Sequence, residues 1–182
     1  MKPVQVFLMA ATLLSTVIAQ EPEDPALLAG RKASKALLET LQPQLQSAMK
    51  AGGPAAAMQV CASMAQPMTN NLKVDHPAVV KVSRTSDQVR NPLNAPDALD
   101  ARILAAYLKS GSKEDQVVKD EGGTFYYKPL FLQAVCLNCH GATLKPEVTA
   151  LLQQHYPKDR ATGYAEDDFR GVIKVQLDSS KL

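Results

Sequence analysis

An α+β fold, helical at the front and built behind on a small antiparallel sheet, is predicted by three features of this 182-residue sequence. Apolar residues recur at helical spacing through the early part of the chain. A Gly-Gly pair separates two strand-like runs further on. A loop-rich segment then precedes a final apolar strand.

The first helix spans Pro25 to Lys50, where Leu27, Leu28, Ala36, Leu37, Leu38, Leu41, Leu45 and Met49 recur near helical spacing with Lys and Gln between them. Pro43 is a candidate kink, because its ring removes a backbone hydrogen bond. Gly52-Gly53-Pro54 ends this helix and starts another, since Gly suits the position after a helix and Pro the first helical turn. The second helix runs from Ala55 to Asn70. Ala55, Ala56, Ala57, Cys61, Ala62 and Ala65 make it small enough for a bulky group to approach its backbone.

Pro77 to Ser83 reads as a short strand through Val79, Val80 and Val82. The stretch Arg90-Asn91-Pro92-Leu93-Asn94-Ala95-Pro96-Asp97 is too dense in Asn and Pro to be anything but a shaped loop. Asp97 then caps a helix through Leu99, Ile103, Leu104 and Leu108, which Gly111 closes. Gln116 to Glu121, Gly122-Gly123 and Thr124 to Phe131 form a hairpin, because paired glycines supply the positive φ angles of a tight turn. A helix from Pro146 to Tyr156 and a last strand from Gly171 to Leu177 complete the chain.

The N-terminus begins Met1-Lys2, continues with a largely apolar run from Val4 to Ile18, and reaches Val17-Ile18-Ala19 before Gln20. That is the layout of a secretory signal peptide over residues 1–19, leaving 20–182 as a single domain and placing the protein in the periplasm. The run is shorter than the roughly 20 residues of a membrane span, so membrane contact is expected only if the signal stays uncleaved. Twenty Lys and Arg against 18 Asp and Glu leave no field that would gather nucleic acid. The long first helix offers a face on which a second copy of the chain could form a homodimer.

Cys136-Leu137-Asn138-Cys139-His140 has the spacing of c-type haem attachment. Two thiols separated by two residues reach the two vinyl groups of one haem, and the following histidine stands beneath the iron. With three Cys and three His in the chain, random placement gives this pattern in roughly one chain in a thousand. Export agrees with it, because such haem is attached outside the cytoplasm. The rivals are a Cys136 to Cys139 disulfide or redox pair and a zinc site.

With two cysteines used, Cys61 is left over. It is a buried thiol, an intermolecular disulfide partner, or a thiolate on the far side of the iron, where Met58, Met64, Met68, His76 and His155 compete with it. Spacing alone does not choose among them.

From Cys61 to Leu177 the chain resembles a small c-haem family catalogued as a domain of unknown function. The stretches that carry the likeness are Val60-Cys61-Ala62, Ser83-Arg84, Arg90-Asn91-Pro92, Asn94-Ala95-Pro96-Asp97, Tyr127-Lys128-Pro129-Leu130, Cys136 to Gly141, Tyr156-Pro157 with Asp159, Ala161-Thr162-Gly163-Tyr164 and Phe169-Arg170-Gly171. The resemblance implies a PAS-like fold and iron ligation by His and Cys, here His140 and Cys61. Relatives of this kind also serve as the sensing part of membrane-bound signalling proteins. The signalling portion is absent here, so sensing would need a separate partner.

Haem carries two propionates, for which Arg84 and Arg90 are the candidate partners, since a guanidinium binds a carboxylate with two hydrogen bonds. Phe125, Tyr126, Tyr127 and Phe131 either wall the haem or fill the core. The expected function is a one-electron carrier working with a redox partner protein, with a redox or small-ligand sensor as the alternative. A haem enzyme is not expected, because no distal acid or base is evident.

Overall fold

The computed structural model describes residues 23–182; the expected signal peptide, residues 1–19, lies outside them. Helix α1 (Pro25–Ser63) starts where the Asp24 carboxylate accepts the Ala26 N–H at 2.8 Å, with Pro25 in the first turn. Its backbone leaves helical geometry at Gly52 and Gly53 and nowhere else, so the bend falls there and not at Pro43. Gly53 takes φ +69°, which costs a residue without Cβ little. Pro43 lies on an exposed stretch, where water can satisfy the carbonyl its ring deprives. The helix expected over 55–70 is divided at Met64, beyond which α2 (Ala65–Asn70) resumes.

Strands β1 (Val79–Thr85), β2 (Gln116–Asp120), β3 (Gly123–Phe131) and β4 (Phe169–Leu177) form one antiparallel sheet in the order β1-β4-β3-β2. The fold is α+β, as expected. β1 begins two residues later than Pro77, which has no N–H to give a ladder, and runs on to Thr85. β4 begins two residues before Gly171 by passing through a bulge: Leu130 pairs with Gly171 and Phe131 with Phe169, leaving Arg170 as the extra residue. Gly171 has φ +137°, and a Cβ there would lie 2.3 Å from the Thr85 carbonyl oxygen.

Helices cover both faces of the sheet. On one, Ala26, Ala29, Ala33 and Leu37 of α1 pack on Tyr126, Ile173 and Val175. Gly30 lets α1 settle directly on the Tyr126 ring, since a Cβ would stand 2.0 Å from its Cγ. On the other face lies α3 (Ala98–Ser110), started by a reciprocal capping box between Asp97 and Asp100 and ended by Gly111 at φ +64°. Its Ile103, Leu104 and Tyr107 pack on Phe125, Tyr127 and Val172. Phe125, Tyr126 and Tyr127 are therefore core residues, and Phe131 stacks edge-on against Phe169.

Polar groups buried between the sheet and α1 or α3 are paired, which offsets their desolvation cost. The Tyr127 hydroxyl donates to Asp100 at 2.8 Å, and Lys174 Nζ reaches the same carboxylate at 2.7 Å. The Tyr126 hydroxyl donates to Asp115 at 2.7 Å, while Arg31 holds that carboxylate through Nε and Nη2 at 2.7 and 2.9 Å. Between β3 and β4 the chain forms α4 (Leu137–His140) and α5 (Pro146–His155), which rest on the second half of α1 through Met58, Val148 and Leu152.

Candidate functional site

A 3-10 turn, Ala134–Cys136, leads directly into the single turn of α4, so the attachment motif is held in helical form. That form sets Cys136 and Cys139 one turn apart. Cys136 packs with Leu132, Ala161 and Tyr164, whereas Cys139 packs with Met58 and Cys61. All three cysteines are free thiols, and among the described residues no three His, Cys, Asp or Glu are grouped to hold a metal ion as a zinc site would.

The backbone after the motif is tied down. Tyr164 N–H donates to the His140 carbonyl at 3.0 Å and Gly163 N–H to that of Gly141 at 3.1 Å. The His140 ring is oriented by a 2.7 Å hydrogen bond between Nδ1 and the Ala161 carbonyl. That bond fixes the tautomer with the proton on Nδ1 and leaves the Nε2 lone pair free, the arrangement found in metal-bound histidines. Burial, with the positive charges of Arg90 and Arg170, pushes the imidazole down to about 3, so it is neutral at ordinary pH.

His140 lines a cavity of about 210 Å³, well above the roughly 10–15 Å³ that admits a single water. Cys61 and Ala65 line it from the helical side, Arg84 and Arg170 from the sheet, and Arg90 from the loop after β1. Cys61 and His140 are the candidate axial residues that meet here. Met58 is fully buried in a helix core, Met64 and His155 are exposed, and His76 turns Nδ1 to the Ala78 N–H at 3.2 Å. None of these, nor Met68, lines the cavity. Burial pushes the Cys61 thiol up, against the opposing influence of Arg90 and Arg84.

The two arginines singled out from the sequence have different surroundings. Arg84 donates through Nη2 to the Ala65 carbonyl at 3.2 Å, and its buried Nε has no partner. Arg90 is committed to the protein. Its Nε and Nη2 hold Asp159 at 3.1 and 3.0 Å, and Nη2 also reaches the Cys139 and Ala161 carbonyls at 2.7 and 3.0 Å. Only Nη1, 3.9 Å from the Met58 sulfur, lacks an oxygen partner. Arg90 thus braces the carbonyl that orients His140, whereas Arg84 keeps a buried donor, its Nε, without a partner. Of the two alternatives for Phe125, Tyr126, Tyr127 and Phe131 the structure takes the core, and none of the four lines the cavity.

Three participants, named in the sequence only within the stretches that carry the family likeness, were given no role there. Asp159 is the carboxylate of Arg90, and the two are too far apart in the chain for spacing to pair them. Tyr156 donates its hydroxyl to the Cys61 carbonyl at 3.3 Å. Arg170 is aimed by the bulge, for which the Arg170-Gly171 dipeptide was the available signal.

The crystal structure of the cyanobacterial heme-protein Tll0287 superposes with a TM-score of 0.60 at 25% identity, over 87% of this chain and 99% of that one. No curated protein sequence matches. The family described as Tll0287-like matches residues 9–177, and the chain belongs to that Tll0287-like family.

Proposed function

We propose that this protein is an exported mono-haem c-type cytochrome that carries single electrons. Haem would be bonded through thioethers to Cys136 and Cys139, with His140 and Cys61 as the axial residues and Arg84 at a propionate. The observation that carries this reading is the meeting of Cys61 and His140, distant in sequence, on one cavity beside the attachment motif. The kinship with a cyanobacterial heme-protein supports it, and the sheet flanked by helices supports a PAS-like fold.

The residues present fit such a group. Imidazole and thiolate are established haem ligands, and the partnerless Nε of Arg84 is a buried donor awaiting an acceptor. When bound, the haem supplies reversible one-electron chemistry at its iron, and a thiolate ligand favours the ferric state. The chain's own groups prepare for this. Ala161 holds the Nδ1 proton of His140, so Nε2 is presented without a proton to lose. Burial pushes the Cys61 thiol up, so binding the iron as a thiolate would release its Sγ proton. His140 and Cys61 would both hold the iron, so neither would have to leave during one-electron chemistry.

The test is expression of the full chain with the haem maturation machinery. Denatured protein should keep the mass and colour of attached haem, and Cys136→Ala/Cys139→Ala should lose both. Cys61→Ser should turn a low-spin ferric spectrum high-spin; an unchanged spectrum would remove Cys61 from the iron. The alternative reading, a redox or small-ligand sensor acting through a separate signalling partner, is favoured by one feature. Cys61 lies near the end of α1, the helix whose other half rests on the sheet, so displacement of Cys61 could be transmitted along it. A spectrum indifferent to carbon monoxide, cyanide and nitric oxide would exclude a small-ligand sensor.

A further inference from the structure

We propose that Arg84 and Arg170 together form a buried clamp for a pair of carboxylates, and that these are the two haem propionates, drawn inward over β1 and β4. The inference rests on the cytochrome reading above and deepens it. It names a residue, Arg170, and a direction for the acidic edge of the haem that the attachment motif does not specify.

Charge balance is the starting point. Three guanidinium groups, those of Arg84, Arg90 and Arg170, line the cavity, and no Asp or Glu does. Asp159, just behind the lining, neutralises Arg90. Arg84 and Arg170 have no carboxylate within ion-pair distance among the described residues; their hydrogen bonds go to neutral oxygens. Arg170 donates through Nη1 to the Ser86 hydroxyl at 2.6 Å and the Gln88 carbonyl at 3.2 Å, and its guanidinium stacks 5.7 Å from the Tyr164 ring centre. Arg84 keeps its Nε unpaired.

Two buried cations without counter-ions are expensive, because desolvation and mutual repulsion both oppose their charge. Both effects act here: burial lowers the pKa of each arginine, and Arg170 adds repulsion at Arg84. The fold nevertheless spends a bulge on directing Arg170 inward. Gly171 makes that bulge, and its missing Cβ lets β4 press against Thr85 and Ser86. A ligand with two carboxylates would satisfy both forks at once. The other titratable groups around the pair are Arg90, whose charge also repels Arg170, and Cys61, His140, Tyr156, Tyr164, Asp87 and Asp159, of which the two carboxylates stand beyond ion-pair range of both arginines.

The chemistry required is a dicarboxylate, from haem or from solution, and the experiment separates the two sources. The midpoint potential of the haem-loaded full chain is measured against pH for the parent protein, Arg84→Gln, Arg170→Gln and the double variant. Paired propionates stay ionised, so the parent profile carries no propionate step between about pH 5 and 8. Each Gln variant should shift the midpoint to more negative values, since a positive charge near the iron is lost. Each should also acquire a pH-dependent step as an unpaired, buried propionate titrates upward into that window, with the largest change in the double variant. Should the Gln proteins fail to accumulate, Arg84→Lys and Arg170→Lys keep the charge but lose the two-pronged donor geometry, and should acquire the pH-dependent step at smaller size with little shift of the midpoint.

Variants that retain haem by mass and keep both the parent midpoint and its profile would overturn the clamp while leaving the cytochrome reading intact. A parent protein without attached haem would overturn both. Added succinate that raises the melting temperature of the haem-loaded parent, but not of Arg170→Gln, would assign the pair to a diffusible dicarboxylate and overturn the propionate assignment.

Discussion

The sheet half of this molecule and its cavity half are held together by different forces. In the sheet half, α1 and α3 bury Leu37, Leu104, Tyr126, Tyr127, Ile173 and Val175 almost completely, and the few buried charges are paired inside the protein. In the cavity half, the apolar clusters are small and the connections are polar, with Arg90 tying α4, Asp159 and Ala161 to one another. The first half can be stable from burial alone. The second is a frame around a space, braced by one guanidinium, and it leaves two further guanidinium groups and a thiol facing that space.

This contrast is broken most severely at Arg90. Arg90→Met would strand the buried Asp159 carboxylate and free the Ala161 and Cys139 carbonyls, a loss of about 3–5 kcal/mol by precedent for buried pairs. Hydrogen exchange should rise in residues 134–164 while the sheet stays protected. A second change, Asp159→Leu, should restore part of the stability, which chemical denaturation would report. Equal loosening of β3 and β4 would mean that the halves are not separately held.

Leu37→Ala is the counterpart in the sheet half. Removing a fully buried side chain should cost roughly 2–4 kcal/mol in global stability, with exchange rising across the sheet and the haem spectrum unaltered. Gly30→Ala probes the same contact from the other direction. Its methyl would collide with the Tyr126 ring, and overpacking of this kind costs about 1–3 kcal/mol. The melting temperature should fall, and a smaller ring-free residue in Tyr126→Leu should relieve part of the clash.

The smallest effect is expected at Asp115, where the two hydrogen bonds from Arg31, aided by the Tyr126 hydroxyl and opposed by partial burial, hold the carboxyl down to about 2. A carboxylate with a lowered folded-state pKa adds stability above its unfolded value, and that contribution disappears as pH falls toward the folded value. Denaturation curves should therefore show an acid slope between about pH 4 and pH 2 that is shallower in Asp115→Asn. Because Arg31 is well exposed, the change should remain below about 1 kcal/mol.

The parts of the fold readable in the sequence were those specified by neighbouring residues. Asp97 with Asp100, Gly111 and Gly52-Gly53 each act within a few positions, and each marks its cap or break where the structure has it; the hairpin turn falls one residue before the expected glycine pair, at Glu121-Gly122, because Gly123 already pairs with Asp120 in the ladder. Pro43 misled because a proline in a helix bends it only if its lost hydrogen bond goes unsatisfied, which depends on exposure. The strand aromatics left two alternatives open because alternation tells which residues share a face, not what that face meets, and packing against α1 and α3 made them core.

The sequence by itself determined the order of helices and strands and the contiguous Cys136-Leu137-Asn138-Cys139-His140 unit, since both depend on local spacing. Tertiary structure decided that Cys61, rather than any methionine, shares a cavity with His140. It also decided that Arg90 is consumed by Asp159 while Arg84 and Arg170 are left facing the space. Such choices depend on groups brought together from distant parts of the chain, where packing and the pairing of buried charge select the neighbours and spacing carries no information.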